Sequence, residues 1–247
     1  MKDYYRFSYE EYPFQLFSLP HLVAIFVSIG CMISMYLFRE KIRNTKGKKV
    51  VNNLLIFLLL FGEVSFQIWY IVNDKWDSTI NLPLQLCSLS LYLCLIMLLT
   101  RSYRVFEITF FTSMVGAFFA IITPELFFGF PHFRYFQFFT AHLAIVLSCL
   151  FMVWIEQYRV TFSSMIRSFV ALNIIAFIVF NLNHAIGANY MFLDHKPYNA
   201  SLIDYLGPYP WYIFSLEGIA LFLFSILYLP FFILNKGCFR KGCGFSN

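Results

Sequence analysis

The stretch FQFFTAHLAIVLSCLFMVWI (residues 136–155) contains no charged residue and is long enough to cross the hydrocarbon core of a bilayer as one helix. Further apolar stretches of similar length lie before and after it, at 17–38, 50–73, 82–100, 105–123, 165–187 and 211–234. Of the 247 residues, 60% are hydrophobic and only 13% are charged, which is too little charge for a soluble globule. The sequence therefore predicts one all-α domain over residues 1–247, a polytopic membrane bundle of seven transmembrane helices.

The distribution of lysine and arginine predicts the orientation of this bundle. Seven spans place the two termini on opposite sides of the membrane. If the N-terminus is outside, 13 of the 18 basic residues lie on the inner side, and the outer side holds only Lys2, Arg6, Lys75, Arg134 and Lys196. The positive-inside rule then favours N-out, C-in. The net charge of +5 reflects topology and contact with anionic lipid, and no separate basic patch indicates binding to nucleic acid.

The six cysteines do not form the pattern of a disulfide framework. Four lie inside predicted helices and two lie in a short basic tail on the inner, reducing side: Cys31, Cys87, Cys94, Cys149, Cys238 and Cys243. We expect Cys31, Cys94 and Cys149 to be small packing residues. For the tail pair we expect reduced thiols, with acylation or metal binding as the alternative.

Five of the predicted spans carry a polar side chain at a similar depth below their outer ends, namely His21, Gln67, Cys87, His142 and Glu217. Asn183 and His184 lie near the outer end of the sixth span. An unpaired polar group in hydrocarbon costs on the order of several kcal/mol, so such residues turn toward the bundle interior. We therefore expect a shared polar pocket that opens to the outer leaflet.

A thiol and an imidazole in one pocket suit acyl transfer. The imidazole removes the thiol proton, and the thiolate attacks an ester carbonyl to form an acyl-thioester. In this interpretation Glu217, Asn183 or His21 orients the imidazole. Gln85 or Ser88 helps to hold the oxyanion, and Gln67 and His184 line the pocket.

Structural roles compete with this interpretation. His142 is equally explained as a hydrogen-bonded link between helices, and Glu63 and Glu217 as polar contacts that hold helices together. His132 and His195 lie in predicted loops, where we expect them to be solvated. A zinc site is an alternative for the membrane histidines, but no His-x-x-x-His pair is present. We expect no metal and no cofactor.

Six motifs spread along the chain carry a resemblance to a known family: FSLPHL (17–22), LPLQLCS (82–88), TPEL (123–126), FQFFTAH (136–142), NYMFL (189–193) and GPYPWY (207–212). Together they resemble the YwaF family of bacterial integral membrane proteins, which is similar to an animal transmembrane acyltransferase of ether-phospholipid remodelling. The resemblance implies that Cys87 is the nucleophile and His142 the base. It also implies a multi-pass protein of a bacterial cell membrane.

The expected function is therefore a membrane-embedded, cysteine-dependent acyltransferase or transacylase. It would move a fatty acyl chain from a phospholipid ester to a lysolipid or similar acceptor through a thioester. A lipid esterase with the same dyad is the close alternative. A transporter or ligand-binding sensor is the alternative without chemistry, but the spans show no inverted repeat and the polar residues stop short of the inner face.

Overall fold

The computed structural model describes residues 3–8, 10–197 and 202–240. This part of the chain is helical without a strand, and an isolated backbone bridge joins Pro13 to Phe128. The α-helices are α1 (Leu19–Leu37), α2 (Arg39–Ile42), α3 (Thr45–Val72), α4 (Leu86–Thr100), α5 (Tyr103–Ile122), α6 (Phe133–Trp154), α7 (Phe162–Ile186) and α8 (Trp211–Arg240). The predicted all-α membrane bundle is confirmed.

Apart from the short α2, successive helices run in alternate directions between two ends of the bundle. At one end, called the basic end, the Glu156 carboxylate pairs with Lys48 and Arg101. Lys48 lies in the first turns of α3, and Arg101 directly follows α4. At the other end, called the loop end, lie the connections 73–85 and 123–132 and the described residues 187–197 and 202–210. α4 and α6 both start at the loop end, so they run parallel to each other. This shared direction sets the register of the candidate site.

In the part of the chain that the structure describes, six helices are long and apolar enough to cross a membrane, and α4 is shorter than these. Its 15 residues span about 22 Å, against about 30 Å for a hydrocarbon core. α4 does not extend to residue 82, where the predicted span begins. Proline disfavours helical backbone in the residue before it, and here the Leu84 N–H bonds the Leu82 carbonyl in a turn (2.7 Å). The helix begins only at Leu86, so Cys87 lies in its first turn.

α6 is the central helix of the bundle. Along its apolar stretch 67% of the residues are buried, whereas along the apolar stretch of α8 only 11% are buried. Close contact with α3 depends on Gly62, because a Cβ placed there would lie 2.9 Å from the Ala141 Cβ. The Gln137 side chain donates to the Gly62 carbonyl across the same contact (2.7 Å). α6 therefore carries His142 into the interior between α3, α4 and α5.

Candidate functional site

Cys87 is the second residue of α4, and its thiol is partly exposed. The first hydrogen bond of the helix runs from the Leu89 N–H to the Gln85 carbonyl (3.0 Å). The N–H groups of Leu86, Cys87 and Ser88 therefore have no partner within the helix. The Gln85 side chain does not cap them, because its Oε1 accepts from the Met191 N–H instead (2.9 Å). The Cys87 thiol thus lies beside free backbone donors at the positive end of a helix.

The hydrogen bond of His142 fixes which of its ring nitrogens carries the proton. Nδ1 lies 2.8 Å from the Phe138 carbonyl oxygen, one turn earlier on α6. A carbonyl only accepts, so in the neutral ring Nδ1 carries the hydrogen and Nε2 carries the lone pair. The side chain is 8% exposed. Nε2 makes no hydrogen bond to the residues that the structure describes, and this leaves a base nitrogen free.

The register between α4 and α6 follows from a thiol contact deeper in the bundle. The Cys94 sulfur lies 3.9 Å from the Ile145 carbonyl oxygen, and it is in hydrogen-bonding contact with the Cys149 thiol. About two turns nearer the loop end, the position of Cys94 on α4 corresponds to Cys87. On α6, the positions of Ile145 and Cys149 correspond to Phe138 and His142. Equal steps along parallel helices keep residues level, with a drift of only about 20° per seven residues.

From this register we expect Cys87 at the level of Phe138 and His142, on the face of α4 that meets α6. No hydrogen bond joins the thiol to the imidazole within the described part of the chain. Catalytic hydrogen bonds are often long in a resting enzyme. The Cys87–His142 dyad stays a prediction that the register of the two helices favours.

The family comparison covers this whole region, since the model of the TMEM164 family matches residues 16–228. The chain belongs to the TMEM164 family. No curated protein and no solved structure matches it significantly. The range matched by the TMEM164 model runs from just before α1 into α8, and it includes both Cys87 and His142.

His21 does not join the site. It is fully buried, and Nδ1 accepts from the Phe17 N–H (2.9 Å) while Nε2 lies 3.0 Å from the Ile121 carbonyl oxygen. The ring therefore ties the start of α1 to the end of α5. With both nitrogens bonded to backbone, His21 has none left to orient His142, so the expectation that it helps the dyad was wrong.

Glu217 also lies elsewhere. Its carboxylate accepts from the Asn173 side chain (2.9 Å), which joins α8 to α7. Asn183 is buried and bonds the Tyr190 backbone in both directions (2.9 Å each), whereas the next residue, His184, is exposed beside the Phe180 ring. The polar residues expected to share one pocket are thus divided among separate helix contacts. Equal depth in a bundle does not place residues on the same side, which is why the shared pocket was wrong.

A polar cluster at the loop end, called the α3–α4 cluster, consists of Glu63, Gln67, Trp76, Asn81 and Tyr92. The Gln67 amide donates to the Glu63 carboxylate and to the Asn81 carbonyl, and it accepts from the Trp76 indole (2.9 Å each). The Tyr92 hydroxyl hydrogen-bonds Glu63. Gln67 therefore lies among polar groups as expected, but all of its contacts are with the protein.

Sequence reasoning missed two residues beside this cluster, Arg134 and Gln137, whose side chains bond each other on α6. Arg134 was counted only as an outer-side charge, although its position at the start of the apolar stretch 136–155 was a visible signal. His132 was expected to be solvated, yet it is fully buried and caps the start of α6. Ser88 is partly exposed next to Cys87, and His195 bonds the Lys196 carbonyl (2.8 Å).

Among the described residues, no three His, Cys, Asp or Glu side chains come together as metal ligands. Cys94 and Cys149 are fully buried in contact with each other, and Cys31 is partly exposed on α1, where a packing role was expected. The tail cysteines Cys238 and Cys243 lie outside the residues whose side chains the structure describes.

Proposed function

We propose that this protein is a membrane-embedded, cysteine-dependent lipid acyltransferase with Cys87 as nucleophile and His142 as base. The observation that supports the proposal is the register of the parallel helices α4 and α6, set by the Cys94–Ile145 contact, together with a His142 Nε2 that makes no hydrogen bond to the described residues. A thiolate nucleophile needs a base within reach and an imidazole held in one tautomer. The Phe138 carbonyl, rather than Glu217, Asn183 or His21, holds the ring.

The reaction proceeds in two balanced steps. Nε2 takes the Cys87 proton, and the sulfur attacks the carbonyl carbon of a lipid ester. The ester C–O bond breaks, and the departing lipid alcohol takes the proton from the imidazolium. In the second step the hydroxyl of an acceptor lipid gives its proton to Nε2 and attacks the thioester. The C–S bond then breaks, and the thiol regains the proton.

The start of α4 supports both steps. The N-terminal end of a helix favours a negative charge, so it stabilises the thiolate of Cys87. The unpaired N–H groups of Cys87 and Ser88 can donate to the oxygen that becomes negative when the carbonyl is attacked. Gln85, expected in this role, is bound to Met191. The backbone of the first turn takes its place in the proposed oxyanion site.

The substrates follow from the resemblance and from the position of the site. The resemblance to YwaF proteins supports a phospholipid ester as donor and a lysolipid as acceptor, in a bacterial cell membrane. Cys87 lies in the first turn of α4 at the loop end, so we expect it near the membrane surface, where the ester groups of a bilayer lie. With the N-out, C-in orientation favoured by the basic residues, the site would draw on the outer leaflet.

Intact-protein mass spectrometry tests the proposal. The purified chain is incubated with a phospholipid of one defined acyl chain, and we expect an acyl adduct that is absent from Cys87→Ala. Cys31→Ala is the matched control, since Cys31 is partly exposed on α1 and takes no part in the dyad. Addition of a lysolipid should discharge the adduct into a new phospholipid.

The other outcomes decide between the alternatives. Discharge to water alone would identify an esterase. Acyl transfer that survives in Cys87→Ala would exclude the thioester. A wild-type chain that turns over no lipid ester would favour the transporter or sensor.

A further inference from the structure

Arg134 is a partly buried cation at the second position of α6. Its guanidinium lies over the Phe66 ring (4.5 Å to the centroid) and the Trp69 ring (5.6 Å) of α3. One nitrogen, Nη1, donates to the Gln137 side chain. Nε is buried and has no hydrogen-bond partner within the described part of the chain.

The nearest carboxylate does not neutralise this cation by contact. Glu63 interacts with Arg134 electrostatically, but within the described ranges Arg134 makes no ion pair closer than 4.0 Å. The Glu63 carboxylate is already bonded by Gln67 and Tyr92. A cation also gains nothing from a helix N-terminus, whose partial charge is positive. If this position served only for packing, an uncharged side chain would be more stable there. We therefore look for an anion from outside the chain as the partner of Arg134.

A second buried donor lies next to the same face of α3. Asn81 is 1% exposed, and its Oδ1 accepts from the Asp77 N–H (2.9 Å). Its Nδ2 has no acceptor among the described residues. The Asn81 carbonyl accepts from Gln67, which stands between Phe66 and Trp69 in the helix sequence. The α3–α4 cluster therefore contains a second buried donor without an acceptor among the described residues, on a side of α3 next to the one that Arg134 covers.

The spacing to the dyad matches one class of lipid. Arg134 lies eight residues before His142 on α6, or about 12 Å along the helix axis toward the loop end. A guanidinium reaches down from its Cα and binds a phosphate through two parallel N–H groups. In a glycerophospholipid only the glycerol backbone separates the phosphate from the ester carbonyls. A phosphate on Arg134 would therefore leave an ester carbonyl near the level of Cys87 and His142.

We infer that Arg134, with Asn81, forms the phosphate subsite of this protein, so that it selects glycerophospholipids and lysophospholipids over neutral acylglycerols. The inference rests on the proposed acyltransferase function for its link to catalysis, but binding is separable from turnover. The simpler role for a membrane arginine is contact with the bulk phosphate layer. That role predicts no preference between bound lipids.

The test measures binding in a Cys87→Ala background, where no acyl transfer occurs. Apparent Kd values for palmitoyl lysophosphatidylcholine and monopalmitoylglycerol are measured in neutral detergent from the rise in Tm on titration. The two lipids share the acyl chain and differ in the phosphate. We expect Arg134→Gln to weaken binding of the lysophospholipid by about 10- to 100-fold, the effect of one charge-assisted contact, and to change binding of the neutral lipid by less than about threefold.

Two further variants make the result specific. Arg104→Gln removes an exposed arginine at the basic end and should change neither Kd. Arg134→Lys keeps the charge but loses the two parallel N–H groups of the guanidinium. Its Kd for the lysophospholipid should lie between those of the wild type and Arg134→Gln, so the test stays decisive if the glutamine variant does not fold.

Equal affinity for the two lipids before substitution would overturn the phosphate subsite, and so would equal weakening of both by the Arg134 variants. The acyltransferase function fails by a different result, the lack of an acyl adduct in the wild-type chain with any lipid.

Discussion

At the scale of single residues, two buried histidines in one membrane bundle have opposite hydrogen-bonding states. His21 uses both ring nitrogens to hold backbone groups of two helices, whereas His142 uses one and leaves Nε2 free. Sequence alone made them equivalent, since each is a histidine in an apolar stretch near a predicted outer end. The difference depends on which carbonyls the fold brings to each ring, and a single sequence does not contain that information.

This difference gives a paired prediction. His21→Ala should lower stability by on the order of 3 kcal/mol, because it leaves the Ile121 carbonyl and the Phe17 N–H without their partner. Acylation of Cys87 should be unchanged in the fraction that stays folded. His142→Ala should keep a near-normal Tm, because the Phe138 carbonyl belongs to the same helix, and it should slow acylation by about 100-fold or more through loss of the base.

Thermal unfolding of the purified protein and the rate of adduct formation measure the two effects separately. The reverse pattern, in which His21→Ala slows acylation without loss of stability, would make His21 the residue that acts on the thiol.

At the scale of helices, the contact between α3 and α6 is as close as it is because residue 62 lacks a side chain. Gly62→Val should push α3 away from α6, since even a Cβ would lie 2.9 Å from the Ala141 Cβ. We expect a drop in Tm of several degrees, partly recovered when Ala141→Gly is added. Gly30→Val is the control, because a Cβ at Gly30 meets nothing within 4 Å. Equal losses at both glycines would assign the effect to the backbone rather than to the contact.

The start of α6 carries a titratable cap. His132 Nδ1 accepts from the Arg134 N–H (3.1 Å), and Nε2 lies 2.9 Å from the Arg6 carbonyl oxygen. Burial lowers the pKa of His132 from its ordinary value near 6.5, with the Arg6 carbonyl opposing this shift and the Arg134 charge adding to it. The unfolded chain therefore binds the proton first. The stability that the neutral ring contributes is fully present above about pH 6.5, and it declines as the pH falls below that value.

His132→Asn should remove this part of the pH dependence, because asparagine also caps a helix but does not titrate. We expect the wild-type Tm to fall more steeply than that of His132→Asn between about pH 7.5 and about pH 5.5. Hydrogen exchange of residues 3–8 should rise over the same interval in the wild type alone. Parallel Tm curves for the two proteins would show that His132 does not titrate there.

The membrane helices were predictable, whereas one helix start was not. Hydropathy fixed the spans, since a chain with 60% hydrophobic residues has few other folds available. For α4 the apolar stretch begins at residue 82, but the effect of Pro83 on the backbone of the preceding residue delays the start of the helix. The late start shortens α4 and places Cys87 among the free N–H groups of the first turn. The oxyanion donors were for this reason sought among side chains.

At the scale of the whole molecule, the depth of each polar residue along its helix was predictable from the sequence. Which neighbouring helix each of these residues faces was not. Five of the predicted spans carry a polar residue at a similar level, yet the helices that pack beside α1, α6 and α8 differ. His21 therefore meets α5 and Glu217 meets α7. For Cys87 and His142, on the parallel helices α4 and α6, the register favours the proximity that the predicted chemistry requires. Arg134 lies on the same helix as His142, and in our proposal it is the residue that binds the headgroup phosphate.

The orientation of the bundle decides which leaflet supplies the lipid, and labelling can measure it. Cysteines are placed at Tyr205, which is 87% exposed at the loop end, and at Lys46, which is exposed at the basic end. With N-out, C-in, a membrane-impermeant maleimide should label Tyr205→Cys in whole cells above the background of the unsubstituted chain. It should label Lys46→Cys only after permeabilisation, because the basic end faces inward. The reverse pattern would place Cys87 and Arg134 toward the inner leaflet, where the anionic lipids of the cytoplasmic face would become the competing ligands of the arginine.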